Sequence, residues 1–251
     1  MQLTIKHPFL CLPVVSHPKD TRVLKLFDGE KLLLCVYFPF GEAAADNGTY
    51  SYEYLSPLPV SEWMGRTLTL SAEFPAGFED AVTQTDELPV SGEVHPAVHF
   101  TANAGWINDP NGLVYDNGTY HLYYQHNPFG VNWNNMSWGH ATSTDLLHWT
   151  RLPVAMLPDE EGTIFSGCGL TNEHRDEIQA AADSNLYRSL PKDALLFFYT
   201  AAGGSHDSAC SEGKDYTQHT AYSTDRGLTL QTLPGAVVLF LKTDNRDPKV
   251  Y

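Results

Sequence analysis

The chain has 251 residues, a length that fits one large domain or two small ones. Fifteen Lys and Arg stand against 30 Asp and Glu, so the net charge is −15 with His neutral. A protein with this charge would approach nucleic acid or an anionic membrane surface against electrostatic repulsion, and we expect neither as a partner.

The amino-terminal region and the cysteines carry no targeting or zinc-binding pattern. Residues 1–16 predict a strand rather than a signal peptide, because Pro8 and Pro13 bracket the apolar stretch. We therefore expect a cytoplasmic protein, unless an upstream segment is missing. The cysteines lack CxxC pairs and His at finger spacing, so we expect four buried thiols rather than a zinc site or a dense disulfide framework. They are Cys11, Cys35, Cys168 and Cys210.

The first part of the chain predicts a small antiparallel β-sandwich. Apolar stretches at 23–27 and 32–38 flank an Asp-Gly pair, which is typical of a β-hairpin. Residues 66–74 alternate apolar and polar side chains, as a half-buried strand does. From 85 to 96 the chain is polar and rich in proline and glycine, which indicates a linker. The predicted division is a first domain at 1–90, a linker at 91–96 and a second domain at 97–251.

The second region is rich in aromatic rings interleaved with Asn, Gln, His and Asp. Flat apolar faces beside many hydrogen-bonding groups suit the C–H faces and hydroxyl edges of a sugar, although most aromatic side chains simply form the core. A sugar site and ordinary core packing are both open on this evidence. Four of the five tryptophans lie here: Trp106, Trp133, Trp138 and Trp149.

Two short sequences recur along this region. Ser-Thr-Asp occurs at 143–145 and 223–225, each time after an aromatic strand, and Asp-Pro occurs at 109–110 and 247–248. Repeated four-stranded units around an axis form a β-propeller, in which the innermost strands begin close to the centre. Two carboxylates that are distant in sequence are therefore expected to meet at one pocket.

Five motifs occur in order along the second region: WINDPNGL at 106–113, QHNP at 125–128, WGH at 138–140, FSG at 165–167 and RDP at 246–248. Together they resemble glycoside hydrolase family 32, the invertases, inulinases, levanases and other β-fructosidases. The resemblance extends over 97–251. The first 90 residues resemble the extra amino-terminal β domain of some levanase-like members.

The resemblance implies an all-β fold, in which a small amino-terminal β-sandwich-like domain precedes part of a five-bladed β-propeller. We expect about two complete blades, near 106–158 and 163–235. The first strand of a third blade is expected after the RDP motif, from Lys249 to Tyr251.

The resemblance also implies a retaining mechanism on a β-fructofuranosyl unit of sucrose, a fructo-oligosaccharide or a fructan. Asp109 matches the nucleophile, and Asp247 matches the carboxylate that holds sugar hydroxyls and stabilises the transition state. Arg246 matches the neighbour that orients the Asp247 carboxylate and the sugar. No metal or organic cofactor is implied. The other positions that match the fructose pocket are Asn108, Gln125, Trp133, Phe165 and Ser166. Structural rather than catalytic roles are expected for His126, His140 and His148.

Two departures from the family pattern affect what is expected of the chain. Cys168 follows Ser166-Gly167 where a serine is usual, and no Glu-Cys pair, the family's acid/base motif, occurs up to Tyr251. We therefore expect the front part of a β-fructosidase with little or no activity of its own. The alternatives are a catalytically dead sugar-binding remnant and an inverting, arabinanase-like propeller enzyme, and the WINDPNG and RDP motifs argue against the latter.

Overall fold

The computed structural model describes residues 1–42, 49–89, 95–173, 184–233 and 245–250. Within these ranges nearly all regular structure is β, and each strand pairs antiparallel with its neighbours. In the same ranges, no helix has the length and apolar character needed to cross a bilayer. The expected all-β class is confirmed.

Two sheets form the amino-terminal sandwich. The strands are β1 (Gln2–Thr4), β2 (Phe9–Val14), β3 (Asp20–Asp28), β4 (Lys31–Phe40), β5 (Tyr54–Pro59), β6 (Thr67–Ser71) and β7 (Thr83–Thr85). One sheet has the strand order β1-β6-β3-β4 and the other has the order β5-β2-β7. A 3-10 turn at Ser61–Trp63 and the short helix α1 at Phe78–Ala81 connect strands of the two sheets.

Local sequence explains the elements of this sandwich. Gly29 has φ of 59° in the tight turn between β3 and β4, a conformation that glycine adopts without steric cost, and this confirms the predicted hairpin. In β6 the side chains of Leu68 and Leu70 are buried and those of the threonines on either side of Leu68 are not, as the alternation predicts. The predicted linker at 91–96 lies outside the described residues at 91–94, and residues 95 and 96 have no regular structure.

Two four-stranded sheets follow, and each has the meander topology of a propeller blade. The first blade contains β8 (Trp106–Asp116), β9 (Thr119–Asn127), β10 (Ser137–Ser143) and β11 (Thr150–Met156). The second blade contains β12 (Thr163–Thr171), β13 (Leu195–Ala202), β14 (Tyr216–Ser223) and β15 (Gln231–Thr232), with helix α2 (Ser184–Ser189) between β12 and β13. Both predicted blades are confirmed.

The edge strands β8 and β12 approach each other closely. A Cβ atom on Gly169 would lie 3.0 Å from the Gly112 carbonyl oxygen and 3.0 Å from the Phe197 ring, so glycine is what lets the two strands come together here. Side chains on β8 and side chains on β12 are thereby brought close together between the two blades.

The two copies of Ser-Thr-Asp form the same kind of turn after an equivalent strand of each blade. The Ser143 hydroxyl donates to the Asp145 carboxylate (3.1 Å), and the Ser223 hydroxyl donates to the Asp225 carboxylate (2.7 Å). The repeat is therefore a structural signature of the blade.

The predicted strand after the RDP motif is wrong where it can be compared with the structure. Residues 249 and 250 have no strand conformation, and Tyr251 lies outside the described residues.

The expectation of four free thiols is also wrong. Cys35 on β4 and Cys210, in the loop at 203–215 between β13 and β14, form a disulfide that joins the sandwich to the second blade. Cys11 and Cys168 are free and buried. The pair is separated by 175 positions in sequence, and only the packing of the two domains brings its members together.

Candidate active site

A cavity of about 190 Å³ opens between the two blades. All eight predicted site residues line it, together with Met136, which the sequence analysis did not single out. The eight are Asn108, Asp109, Gln125, Trp133, Phe165, Ser166, Arg246 and Asp247.

Asp109 and Ser166 meet across the innermost strands of the two blades. Asp109 lies on β8 where the pairing with β9 is irregular, between Ile107 and Pro110, and its side chain is exposed to the cavity. The Ser166 hydroxyl, on β12, donates a hydrogen bond to Asp109 Oδ2 (2.9 Å). One carboxylate oxygen is thus held by the second blade, which fixes the orientation of the other.

Asn111 lies beneath this pair and is almost fully buried. With its amide oriented to match its neighbours, its oxygen accepts from the Gln125 backbone N–H (3.2 Å) and from Trp138 Nε1 (3.2 Å), and its nitrogen donates to Ser166 Oγ (3.3 Å). Asn111 therefore supports the residues that line the cavity. The sequence signal for it is its place in the WINDPNGL motif, next to Pro110.

Gln125 contributes a buried acceptor to the cavity. Its Nε2 donates to the Ile164 carbonyl (2.9 Å), while its Oε1 has no hydrogen-bond partner among the described residues. A buried acceptor without a partner costs free energy, so a ligand hydroxyl that donates to this oxygen would be stabilised.

Asp247 is held over the cavity by the second blade. Its backbone N–H donates to Thr200 Oγ1 (3.2 Å), and Thr200 in turn donates to Gln218 Oε1 (2.8 Å). Gln218 also donates through Nε2 to the Asn245 carbonyl (2.8 Å). The backbone of Asp247 has φ of 60°, the left-handed region that is unfavourable for most L-residues. These bonds offset that strain, which is of a kind that clusters at functional sites.

Three effects set the pKa of Asp247. Burial raises it, the Arg246 guanidinium lowers it, and the negative charge of Asp109 raises it, so that the net pKa lies above the ordinary value. Arg246 Nε lies 3.6 Å from Asp247 Oδ2, and about half of each side chain is exposed. Two carboxylates and one cation at the same cavity leave it with a net negative charge, which favours a positively charged transition state.

Aromatic rings form one wall of the cavity. The rings of Trp133 and Phe165 meet edge to face with centroids 6.1 Å apart, and the Arg246 guanidinium lies 5.8 Å from the Phe165 ring. The His206 ring, which the sequence analysis did not single out, lies against Trp133 at 4.8 Å. Such faces pack well against the C–H surface of a sugar ring.

The three histidines judged to be structural do not line the cavity. His126 Nδ1 lies 3.0 Å from the Trp106 carbonyl oxygen, His140 lies 3.1 Å from His121, and His148 pairs with Asp145 at the surface. Burial lowers the pKa of His126 to about 4 and that of His140 to about 3. In the ranges that the structure covers, no three His, Cys, Asp or Glu side chains are grouped as metal ligands.

Two carboxylates beside an aromatic wall, at a cavity between the blades of a β-propeller, are the arrangement of a glycoside hydrolase. The family model described as the glycosyl hydrolases family 32 N-terminal domain matches residues 99–251. The chain belongs to glycoside hydrolase family 32.

Characterised relatives agree with this assignment. The chain is 38% identical over 187 residues to a levanase of Bacillus subtilis, a match that covers 74% of this chain and 24% of the levanase. It is 36% identical over 197 residues to a fructan beta-fructosidase of Streptococcus mutans, with 76% of this chain and 12% of that protein covered. The chain thus spans a quarter or less of the length of these two relatives.

Solved structures of the same family are also similar. A beta-fructofuranosidase from Schwanniomyces occidentalis, complexed with fructosyl-erythritol, is 32% identical and matches with a TM-score of 0.49, covering 62% of this chain and 29% of that chain. A family 32 glycoside hydrolase from Bifidobacterium adolescentis is 24% identical with a TM-score of 0.47, covering 99% of this chain and 42% of that chain.

Proposed function

We propose that this chain is the front part of a retaining β-fructosidase that releases fructofuranosyl units from sucrose or fructans. The observation that carries the proposal is the cavity between the blades, where Asp109, hydrogen-bonded to Ser166, shares a pocket with Asp247 and Arg246. The names of relatives support the substrate class, since they include a levanase, an exo-inulinase of Aspergillus niger and an invertase of Schizosaccharomyces pombe.

In the proposed first step, Asp109 attacks the anomeric carbon of the fructosyl unit. Ser166 holds Oδ2, so Oδ1 is the oxygen that forms the new C–O bond. The bond to the leaving group breaks with its electron pair, and a covalent fructosyl ester results. Asp247 and Arg246 bind the sugar hydroxyls, and the Asp247 carboxylate stabilises the positive charge that develops in the transition state.

Protonation of the leaving group requires a second catalytic group. The carboxylates among the residues that line the cavity are Asp109 and Asp247, and both already have roles in the proposal. We infer that the acid/base group comes from outside this set, as the Glu of the family's Glu-Cys pair would. General acid catalysis contributes about 10² to 10⁴-fold, so the chain alone is expected to be slow on natural substrates.

A substrate whose leaving group needs no proton tests the role of the nucleophile independently of the general acid. With β-fructofuranosyl fluoride, the C–F bond breaks and fluoride leaves with the electron pair while the ester to Asp109 forms. Hydrolysis of the ester lacks its base, so we expect a rapid release of fluoride equal to the amount of protein, followed by a slow phase. A fluoride electrode measures both phases.

Two variants serve as controls for this release. Asp109→Asn is expected to abolish the rapid phase, and Asp247→Asn to slow it strongly, while the far-ultraviolet circular dichroism of both stays that of the wild type. Rapid fluoride release by Asp109→Asn would contradict the assignment of Asp109 as the nucleophile. Tight fructose binding by a wild-type chain that releases no fluoride would instead identify a sugar-binding remnant.

A further inference from the structure

We propose that the amino-terminal sandwich is a positioning element for the pocket: its strand β4 holds the aromatic wall formed by Trp133 and His206. The proposal rests on the proposed function only for what this wall binds. The bracing itself follows from contacts between the sandwich, the segment at 128–136 that carries Trp133, and the loop at 203–215 that carries His206.

The segment that carries Trp133 is anchored in the sandwich on both sides of the tryptophan. Before it, the Phe129 side chain is buried in the sandwich core, with its ring 5.6 Å from that of Phe38. After it, Asn135 is 1% exposed and bonds twice to the backbone of Tyr37. Asn135 Nδ2 donates to the Tyr37 carbonyl (2.9 Å), and the Tyr37 N–H donates to Asn135 Oδ1 (2.9 Å).

These bonds occupy the free edge of a sheet. In the order β1-β6-β3-β4, strand β4 is an edge strand, whose outward N–H and C=O groups need partners. Asn135 supplies both partners for Tyr37, and the Pro158 carbonyl accepts from the Cys35 N–H (3.4 Å). The edge of β4 thus binds the segment at 128–136 through hydrogen bonds to its backbone.

The same strand fixes the loop of His206. Cys35 lies two residues before Tyr37 on β4 and forms the disulfide with Cys210. His206 is four positions before Cys210, and its ring lies 4.8 Å from that of Trp133 with the planes 31° apart. An exposed ring in a loop is held in this place by the covalent link to the sandwich.

A buried carboxylate of the 203–215 loop binds the end of the 128–136 segment and the start of β12. Asp207 is 2% exposed, accepts from the Met136 N–H (3.0 Å) through Oδ2, and accepts from the Thr163 hydroxyl (3.1 Å) through Oδ1. Trp133 therefore belongs to a segment bound to β4 by hydrogen bonds, and its ring packs against a loop bound to β4 by a disulfide. Loss of either attachment is expected to loosen the ring, and a site held loosely by its supporting residues binds poorly.

Fluorine NMR of the chain labelled with fluorotryptophan tests this bracing directly. Trp133→Phe identifies the Trp133 resonance among the five. We expect Cys35→Ser and Asn135→Ala each to shift or broaden that resonance and to weaken fructose binding several-fold in calorimetric titration. The resonance of Trp149, whose ring packs against Phe100 and not against the wall, is expected to stay unchanged. Cys11→Ser is the matched control, because Cys11 is a free buried thiol of the same sandwich.

Each result decides the proposal. A Trp133 resonance that coincides with the wild type in both variants would overturn the bracing, whether or not the protein binds fructose. A moved resonance with unchanged fructose affinity would overturn the role of the wall in sugar binding. A moved resonance in a protein whose wild type binds no fructose supports the bracing and refutes the proposed function. If Cys35→Ser does not fold, Asn135→Ala, which keeps the disulfide, provides the comparison.

Discussion

Acidification is expected to destabilise this protein through two buried histidines. His126 and His140 have native pKa values of about 4 and about 3, below the value of 6.5 for an exposed histidine. At pH values between the native pKa of each histidine and 6.5, the unfolded chain binds protons that the native state does not. The free energy of unfolding therefore falls as the pH falls below 6.5. At about pH 5, which is about 1.5 units below the unfolded pKa, each histidine removes about 2 kcal/mol at 1.36 kcal/mol per unit.

The surroundings of His140 explain why it stays neutral. It has no exposed surface, its ring stacks on Tyr123 at 4.1 Å, and its Nε2 lies 3.1 Å from His121 Nδ1. Burial lowers its pKa most and the neighbouring His121 lowers it further, while the charge of Asp225 raises it. One imidazole donates to the other in the neutral pair, and protonation of both rings would place two cations in contact.

Urea denaturation at about pH 8 and about pH 5 measures this effect. The free energy of unfolding of the wild type is expected to fall by about 4 kcal/mol from these two groups. His126→Gln and His140→Gln are each expected to be less stable than the wild type at the higher pH, with a smaller loss on acidification. Variants that lose as much stability as the wild type between the two pH values would refute the reasoning. Loss of fluoride release in folded His140→Gln would refute the structural role of His140.

Two further predictions follow from the hydrogen bond and the disulfide. Ser166→Ala is expected to slow rapid fluoride release about tenfold or more, since a hydrogen bond to a charged group contributes about 1.5 to 3 kcal/mol. An unchanged rate in stopped-flow measurements would contradict the orientation of Asp109 by Ser166. Cys35→Ser is expected to lower the free energy of unfolding by about 5 kcal/mol, because the disulfide closes a loop of 175 positions. Equal urea midpoints for Cys35→Ser and Cys11→Ser would contradict this estimate.

Local signals in the sequence predict much of the fold and the members of the pocket. The Asp-Gly turn defines the hairpin of β3 and β4, and the recurrence of Ser-Thr-Asp marks equivalent turns of the two blades. The ordered motifs select residues that the structure brings to one cavity, from Asn108 to Asp247. These features depend on short stretches of sequence, whose turn chemistry and alternation are visible without the fold.

The features that the sequence did not predict depend on contacts between segments that are distant in sequence. His206 joins the wall because the 203–215 loop packs against the segment at 128–136, which carries Trp133. Cys35 and Cys210 have no spacing pattern, because the geometry that pairs them comes from domain packing. The cytoplasmic location that the sequence predicts stays a prediction.

Peptide mass mapping of the chain after incubation with β-fructofuranosyl fluoride tests the identity of the nucleophile most directly. We predict that one peptide, which contains Asp109, gains the mass of a single fructosyl unit, and that the gain is absent from Asp109→Asn. Fragmentation of the modified peptide assigns the ester to a residue. An unmodified chain, or an ester on Asp247 instead of Asp109, would contradict the proposed roles of the two aspartates.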